Sequence, residues 1–211
     1  MVKKKPIKKL ADASTEERIK EAARKLFTQK GYEATRTREI AEEAGMNLAL
    51  LNYYFRSKEK LFDIIMQENL QHFMKGVYII SHDETTTWQE KIEKLVAYYI
   101  DMLVVQPDIP LFVINEIRNN PEKFANMIHS KAHLMDSPFM KQLLAGIKKG
   151  EIIKVNPMHL MANIMGLTVF PFLSAPLLKL VGKMNQKQFT ELMQERKKLV
   201  PIWLYKMMKA N

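Results

Sequence analysis

Between positions 36 and 58 lies a cluster of side chains suited to binding by charge and hydrogen bonding rather than to bond making. Arg36 and Lys58 carry fixed positive charge, Thr37, Tyr53 and Tyr54 carry hydroxyls, and Asn47 and Asn52 carry amides that donate and accept at once. Elsewhere the chemistry is sparse. His129 and His133 stand four apart on an expected helix, the spacing at which two imidazoles can share a metal. No glutamate follows the first and no third ligand is near, so exposed or hydrogen-bonded histidines are the default. The absence of cysteine removes disulfides, thiolate nucleophiles and cysteine-based metal sites together. With no glycine-rich phosphate loop and no nucleophile–base pair, the sequence predicts no catalytic residue, no metal and no cofactor.

The elements that position these groups read as helices throughout, which makes the fold class all-α. Residues 1–14, rich in lysine and without periodicity, read as a flexible basic arm that can lie on phosphates or remain a solvated tail. Ser14 or Thr15 offers an N-cap for a helix whose Ile19, Ala22, Ala23, Leu26 and Phe27 form one apolar stripe, ending at Gly31. Two short helices follow, at 37–44 and about 47–54, and a longer one starts at Ser57. Beyond residue 85 the spacing predicts helices capped at Thr87, at Pro110, at 121–134, at 138–149 with Gly150 as its stop, at 157–173, and from Asn185 to the end. Pro201 falls inside the last stripe and predicts a kink there.

Segment 37–55, TREIAEEAGMNLALLNYYF, has the requirements of a helix-turn-helix. Ala41 is small where two helices cross, Gly45 tolerates positive φ in the turn, and Ile40, Ala44, Met46, Leu51 and Tyr54 can lock the pair. Asn47 then stands at the start of the second helix, the end that a helix entering a major groove presents to bases. The stretch GYEATRTREIAEEAG (31–45) followed by LNYYFRSKEKLF (51–62) resembles the DNA-binding domain of the TetR family of bacterial regulators, over roughly residues 15–66. That resemblance implies a three-helix DNA-binding domain at 15–56 and a helical effector-binding and dimerisation domain at 57–211. It implies that Thr37, with Arg36 beside it, holds a phosphate, that Asn47, Leu48, Ala49 and Asn52 face base edges, and that Tyr53, Tyr54 and Lys58 grip the backbone. Tyr54 serves equally well as core. Ala49 departs from a glycine common there, which makes the base-reading surface unusually apolar.

The remaining expectations concern the larger domain and the partners. Phe112, Asn115 and Glu116 offer apolar and polar groups on one short helix, and Met161 and Met165 an adaptable apolar lining, for a small-molecule effector that the sequence does not identify. Leu192, Leu199 and Trp203 on the last helix are candidates for a homodimer interface, or equally for intrachain core. Net charge is +10, and residues 1–60 hold 15 Lys/Arg against 9 Asp/Glu, a balance suited to double-stranded DNA or to an anionic surface. No apolar run approaches the ~20 residues that span a bilayer, and no apolar segment follows the basic start. A cytoplasmic regulator without membrane contact is expected, acting as a repressor that binds a (pseudo)palindromic operator as a homodimer and is released by its effector.

Overall fold

The computed structural model describes residues 7–210 as eleven α-helices and one three-residue 3-10 turn, Leu134–Asp136. The chain divides into two compact units, the first ending at Asn69 and the second starting at Leu70. The division between these two units falls inside a helix. The opening turns of that helix supply Leu61 and Ile65, both fully buried, to the first unit.

The first unit contains α1 (Ile7–Ala34), α2 (Thr37–Glu43), α3 (Leu48–Phe55) and the opening of α4 (Lys58–His82). The first helix starts at Ile7 and not at the Ser14–Thr15 cap, so the second half of the expected arm is helical; residues 1–6 of that arm lie outside the described residues. No glycine or proline stands between Ile7 and Gly31, and Lys, Leu and Ala are good helix formers. A cap-type residue alone does not start a helix where the chain before it can already be helical. Gly31 breaks the helical geometry, with φ 78° and ψ 167°. Ile19, Ala23, Leu26 and Phe27 of α1, Ile40 and Ala41 of α2, and Leu51 and Phe55 of α3 are buried with Leu61 and Ile65. On the polar side, Glu68 of α4 divides its two oxygens between Lys20 (2.8 Å) and Arg24 (2.5 Å) of α1, and Glu17 reaches the same two cations.

The second unit is built around α5 (Trp88–Val105), whose Ile92, Leu95, Val96, Ile100 and Leu103 are buried. Against it pack α8 (Pro138–Lys149), α9 (Pro157–Leu173) and α11 (Gln186–Met208), while α6 (Ile109–Asn119) lies on α9 and α7 (Pro121–Ala132) on α6. Local capping explains most of the starts: Thr87 accepts from the Glu90 N–H, Ser137 from Met140, Asn156 from Met158 and Asn185 from Gln188. Lys91 is fully buried, and its ammonium donates to the Thr86 carbonyl, the Thr86 hydroxyl and the Gln142 amide oxygen. Burial lowers its pKa from the ordinary lysine value. Two expectations change. The helix at 121–134 stops at Ala132, with His133 left-handed at φ 43°. A further helix, α10 (Ala175–Val181), occupies a stretch with no assigned element in the sequence reading.

Prolines sit inside both α9 and α11. Helix α11 continues through Pro201 to Met208. In α9, Pro171 has no N–H to offer the carbonyl four residues earlier, that of Leu167. Arg196 of α11 fills the gap, its Nη2 donating to the Leu167 oxygen at 2.7 Å. The guanidinium also lies 5.2 Å from the centroid of the Trp203 ring, so one side chain links the two helices.

If Arg196 replaces the missing backbone donor, Arg196→Met should lower stability by about 2 kcal/mol in urea denaturation. The same change made in a Pro171→Ala background should cost clearly less, because the restored N–H serves the carbonyl. Equal costs in both backgrounds would remove this role.

Candidate nucleic-acid interface

The turn between α2 and α3 follows from one residue. Gly45 adopts φ +67°, a region that side chains with a Cβ enter only with strain. Around it the last carbonyls of α2 are closed in the Schellman pattern: Gly45 N–H donates to Glu42 O at 3.0 Å and Met46 N–H to Ala41 O at 2.8 Å. The Ala44 carbonyl, otherwise orphaned, accepts from Arg18 Nη2 of α1 at 2.8 Å. A Cβ on Gly45 would stand 3.2 Å from that same guanidinium nitrogen. Asn47 then caps α3, its Oδ1 accepting from the Leu50 N–H at 2.8 Å.

With the turn fixed, α3 has one face inside and one outside. Leu51 and Phe55 are buried, whereas Asn47, Ala49, Asn52 and Tyr53 are exposed, Tyr53 at 79%, and Leu48 is half-buried. Phe55, not Tyr54, supplies the core aromatic; Tyr54 is half-buried, with its ring 5.4 Å from that of Tyr53. Thr37 opens α2 between exposed Arg36 and Arg38. The Arg36 N–H donates to the Glu39 carboxylate at 3.0 Å, and Lys30 holds the same carboxylate, so Lys30 first and the backbone second keep Glu39 below its ordinary pKa.

Lys58 is engaged within the fold. Its ammonium donates to the Tyr32 carbonyl at 2.9 Å and the Thr35 carbonyl at 3.1 Å, and lies 4.1 Å from the Tyr32 ring centroid. In the protein alone it is a strut for the 32–35 loop, and Thr35 completes that loop by donating its hydroxyl to Gly31 O at 2.8 Å. Three cations that the sequence reading passed over, Arg38, Arg56 and Lys60, stand out instead. Lys20, Arg24, Lys25 and Lys30 are paired with glutamates, whereas Arg36, Arg38, Arg56 and Lys60 are exposed without an ion pair among the described residues. Arg38 and Arg56 were visible as charges in the sequence. Their availability was not, because it depends on which neighbours are already paired.

The other expected sites are less unified. Phe112 is buried in α6 and Glu116 half-buried, but Asn115 lies off that stripe and is exposed. On α9, Met161 is half-buried, whereas Met165 sits on the outer face with Met158, Ala162 and Gly166. Met165 is thus separated from the buried stripe of Leu160, Ile164 and Thr168 by about a quarter turn. Leu192 and Leu199 are 36% and 39% exposed on α11, with Trp203 half-buried beside Arg196. His133 lies past the end of α7, edge-on to Tyr78, so it does not share a helical face with His129. No cluster of three or more His, Cys, Asp or Glu suited to a metal occurs among the described residues.

A small helix held behind a left-handed glycine turn, with its outer edge open and unpaired arginines around it, defines a helix-turn-helix DNA-binding protein. Residues 19–65 match the family model described as bacterial regulatory proteins, tetR family. The chain is 28% identical over 165 residues to the probable HTH-type transcriptional regulator YttP of Bacillus subtilis (strain 168), covering 76% of this chain and 78% of that one. It is also 28% identical over 147 residues to the HTH-type transcriptional regulator RutR of Escherichia coli (strain K12), covering 67% of this chain and 66%, just under two thirds, of RutR. A crystal structure of a TetR/AcrR-family transcriptional regulator from Thermobifida fusca YX-ER1 shares the fold, with a TM-score of 0.62 at 19% identity, covering 88% of this chain and 96% of that one. Residues 19–65 thus form a DNA-binding domain of the tetR family of bacterial regulatory proteins, and the relatives named here are transcriptional regulators.

Gly45→Ala should destabilise the protein by roughly 1–3 kcal/mol, since φ +67° penalises any Cβ and Arg18 must also shift. Thermal or urea unfolding of the variant measures this; a neutral result would mean that the turn can adopt another path.

Proposed function

We propose that this protein is a ligand-responsive repressor that binds a (pseudo)palindromic operator in double-stranded DNA as a homodimer and is released by a small-molecule effector. The observation that carries the reading is the open edge of α3, with Asn47, Ala49, Asn52 and Tyr53 exposed on a helix whose other face is locked into the core. Arg36 and Thr37, with Arg38 and Arg56 added by the structure, are the phosphate candidates; Leu48, Ala49 and Asn52 face the bases. A cytoplasmic location goes with that role, and no single helix among the described residues is long and apolar enough to cross a membrane.

Self-association is supported by α9, whose 17 residues include no Lys, Arg, Asp or Glu although seven of them are exposed. That surface includes Met158, Ala162, Met165, Gly166 and Phe170, with His159 and Asn163 exposed among them, and a Cβ added at Gly166 would meet no atom within 4 Å. A solvated helix face without Lys, Arg, Asp or Glu suits burial against a second copy. Leu192 and Leu199 of α11 flank Arg196, which reaches α9, so both helices contribute. Two recognition helices can then enter successive major-groove faces when held about 34 Å apart. An effector releases DNA to the extent that it prefers a conformation with another spacing. Phe112, Glu116 and Met161 remain its candidate contacts.

DNA binding should weaken steeply with salt, and Arg36→Ala, Arg38→Ala and Arg56→Ala should each reduce the log–log salt slope by about 1. Fluorescence anisotropy on a labelled duplex measures this; binding that is indifferent to salt would refute the phosphate contacts. Leu199→Glu should convert the dimer to monomer in sedimentation velocity and weaken operator binding with it. A variant that stays dimeric would move the interface elsewhere.

A further inference from the structure

The eight residues of α3, Leu48–Phe55, include no Arg, Lys, Asp or Glu. That omission has consequences in a major groove. Guanine is read by Arg or Lys at O6 and N7, and cytosine by a carboxylate at N4. Adenine is read by an Asn or Gln amide bonding N6 and N7 together, and the thymine methyl by apolar contact. Only the last two chemistries are present on the helix.

The two amides near this edge are not equivalent. Asn47 is committed to the fold, because its Oδ1 accepts from the Leu50 N–H at 2.8 Å. That bond fixes the orientation of its amide against the helix backbone, so it is less free than an unbonded amide to align with both N6 and N7 of adenine. Asn52 is exposed, and its side-chain amide makes no hydrogen bond among the described residues, so oxygen and nitrogen are both free. Ala49 and Leu48, three and four residues earlier, are its neighbours on the helix surface, exposed and half-buried respectively. The free cations Arg36, Arg38 and Arg56 all stand outside α3.

Resting on the DNA-binding reading above, we propose that Asn52 is the adenine-reading residue, that Leu48 and Ala49 contact thymine methyls beside it, and that the half-site facing α3 is therefore made of A·T pairs. Asn47 acts as a positioning residue, holding the start of α3 without reading a base itself.

The test uses the full chain and a library of duplexes with a randomised core. Wild-type protein should enrich A·T pairs, and Asn52→Ser should abolish the preference at one position per half-site. On the selected duplex that variant should bind roughly ten- to hundredfold more weakly, while binding to random DNA changes little. Asn47→Ser, which keeps a capping oxygen, should select the same sequence as wild type. Replacing single thymines of the selected site by uracil removes only the methyl group, and at the contacted positions should cost about fourfold each. A G·C pair at the position whose preference Asn52→Ser abolishes, loss of preference in Asn47→Ser but not in Asn52→Ser, or indifference to uracil at every position would each overturn the assignment while leaving DNA binding intact. No enriched sequence together with no salt-sensitive binding would remove the DNA reading and this assignment with it.

Discussion

A single backbone conformation, the left-handed turn at Gly45, separates a buried helix from a readable one. It sends the chain out of α2 with its carbonyls closed by Gly45, Met46 and the Arg18 guanidinium, and admits Asn47 to cap the next helix. Helix α3 can then bury Leu51 and Phe55 and leave its opposite edge in solvent. A charge-assisted bond to an orphaned carbonyl is among the stronger hydrogen bonds available to a helix end. Arg18 therefore anchors the turn to α1, and the reading edge is referred to the whole first unit rather than to a mobile loop.

The same unit shows why net charge is a poor guide to contact. Of the cations in and around it, several neutralise glutamates on neighbouring helices, Arg18 and Lys58 serve backbone carbonyls, and the Glu68 carboxylate is shared by Lys20 and Arg24 across α1 and α4. Among the described side chains, Arg36, Arg38, Arg56 and Lys60 are left over, a smaller set. It brackets α3 in sequence, with two before it and two after. Exposed ion pairs of this kind add little stability individually. Their effect here is selective, in that they remove some lysines and arginines from the pool able to meet a phosphate.

Features governed by neighbouring residues were legible in the sequence. The Gly45 turn, the Gly150 stop, the Ser57, Thr87 and Asn185 caps and the apolar stripe of α1 each depend on side chains within about four positions of the backbone they serve. The all-helical class followed from the same local signals. Features governed by distant partners were not legible. Lys58 reads as a free cation until Tyr32 and Thr35 are seen to offer it their carbonyls. Met165 has the spacing of a lining residue, yet the rotation of α9 set by Leu160, Ile164 and Thr168 turns it outward. The start of α1 was missed for the opposite reason, since a strong cap signal at Ser14–Thr15 outweighed the plain helix formers before it.

The replacement of a backbone donor by a side chain in α9 bears on the order in which the fold is completed. During synthesis the Leu167 carbonyl emerges well before Arg196, and Pro171 denies it a partner within its own helix. Until α11 docks, that oxygen has only water to bond. A nascent chain stalled between the two helices would present this segment to chaperones and proteases as unfinished, so the maturation of α9 waits on residues translated some thirty codons later.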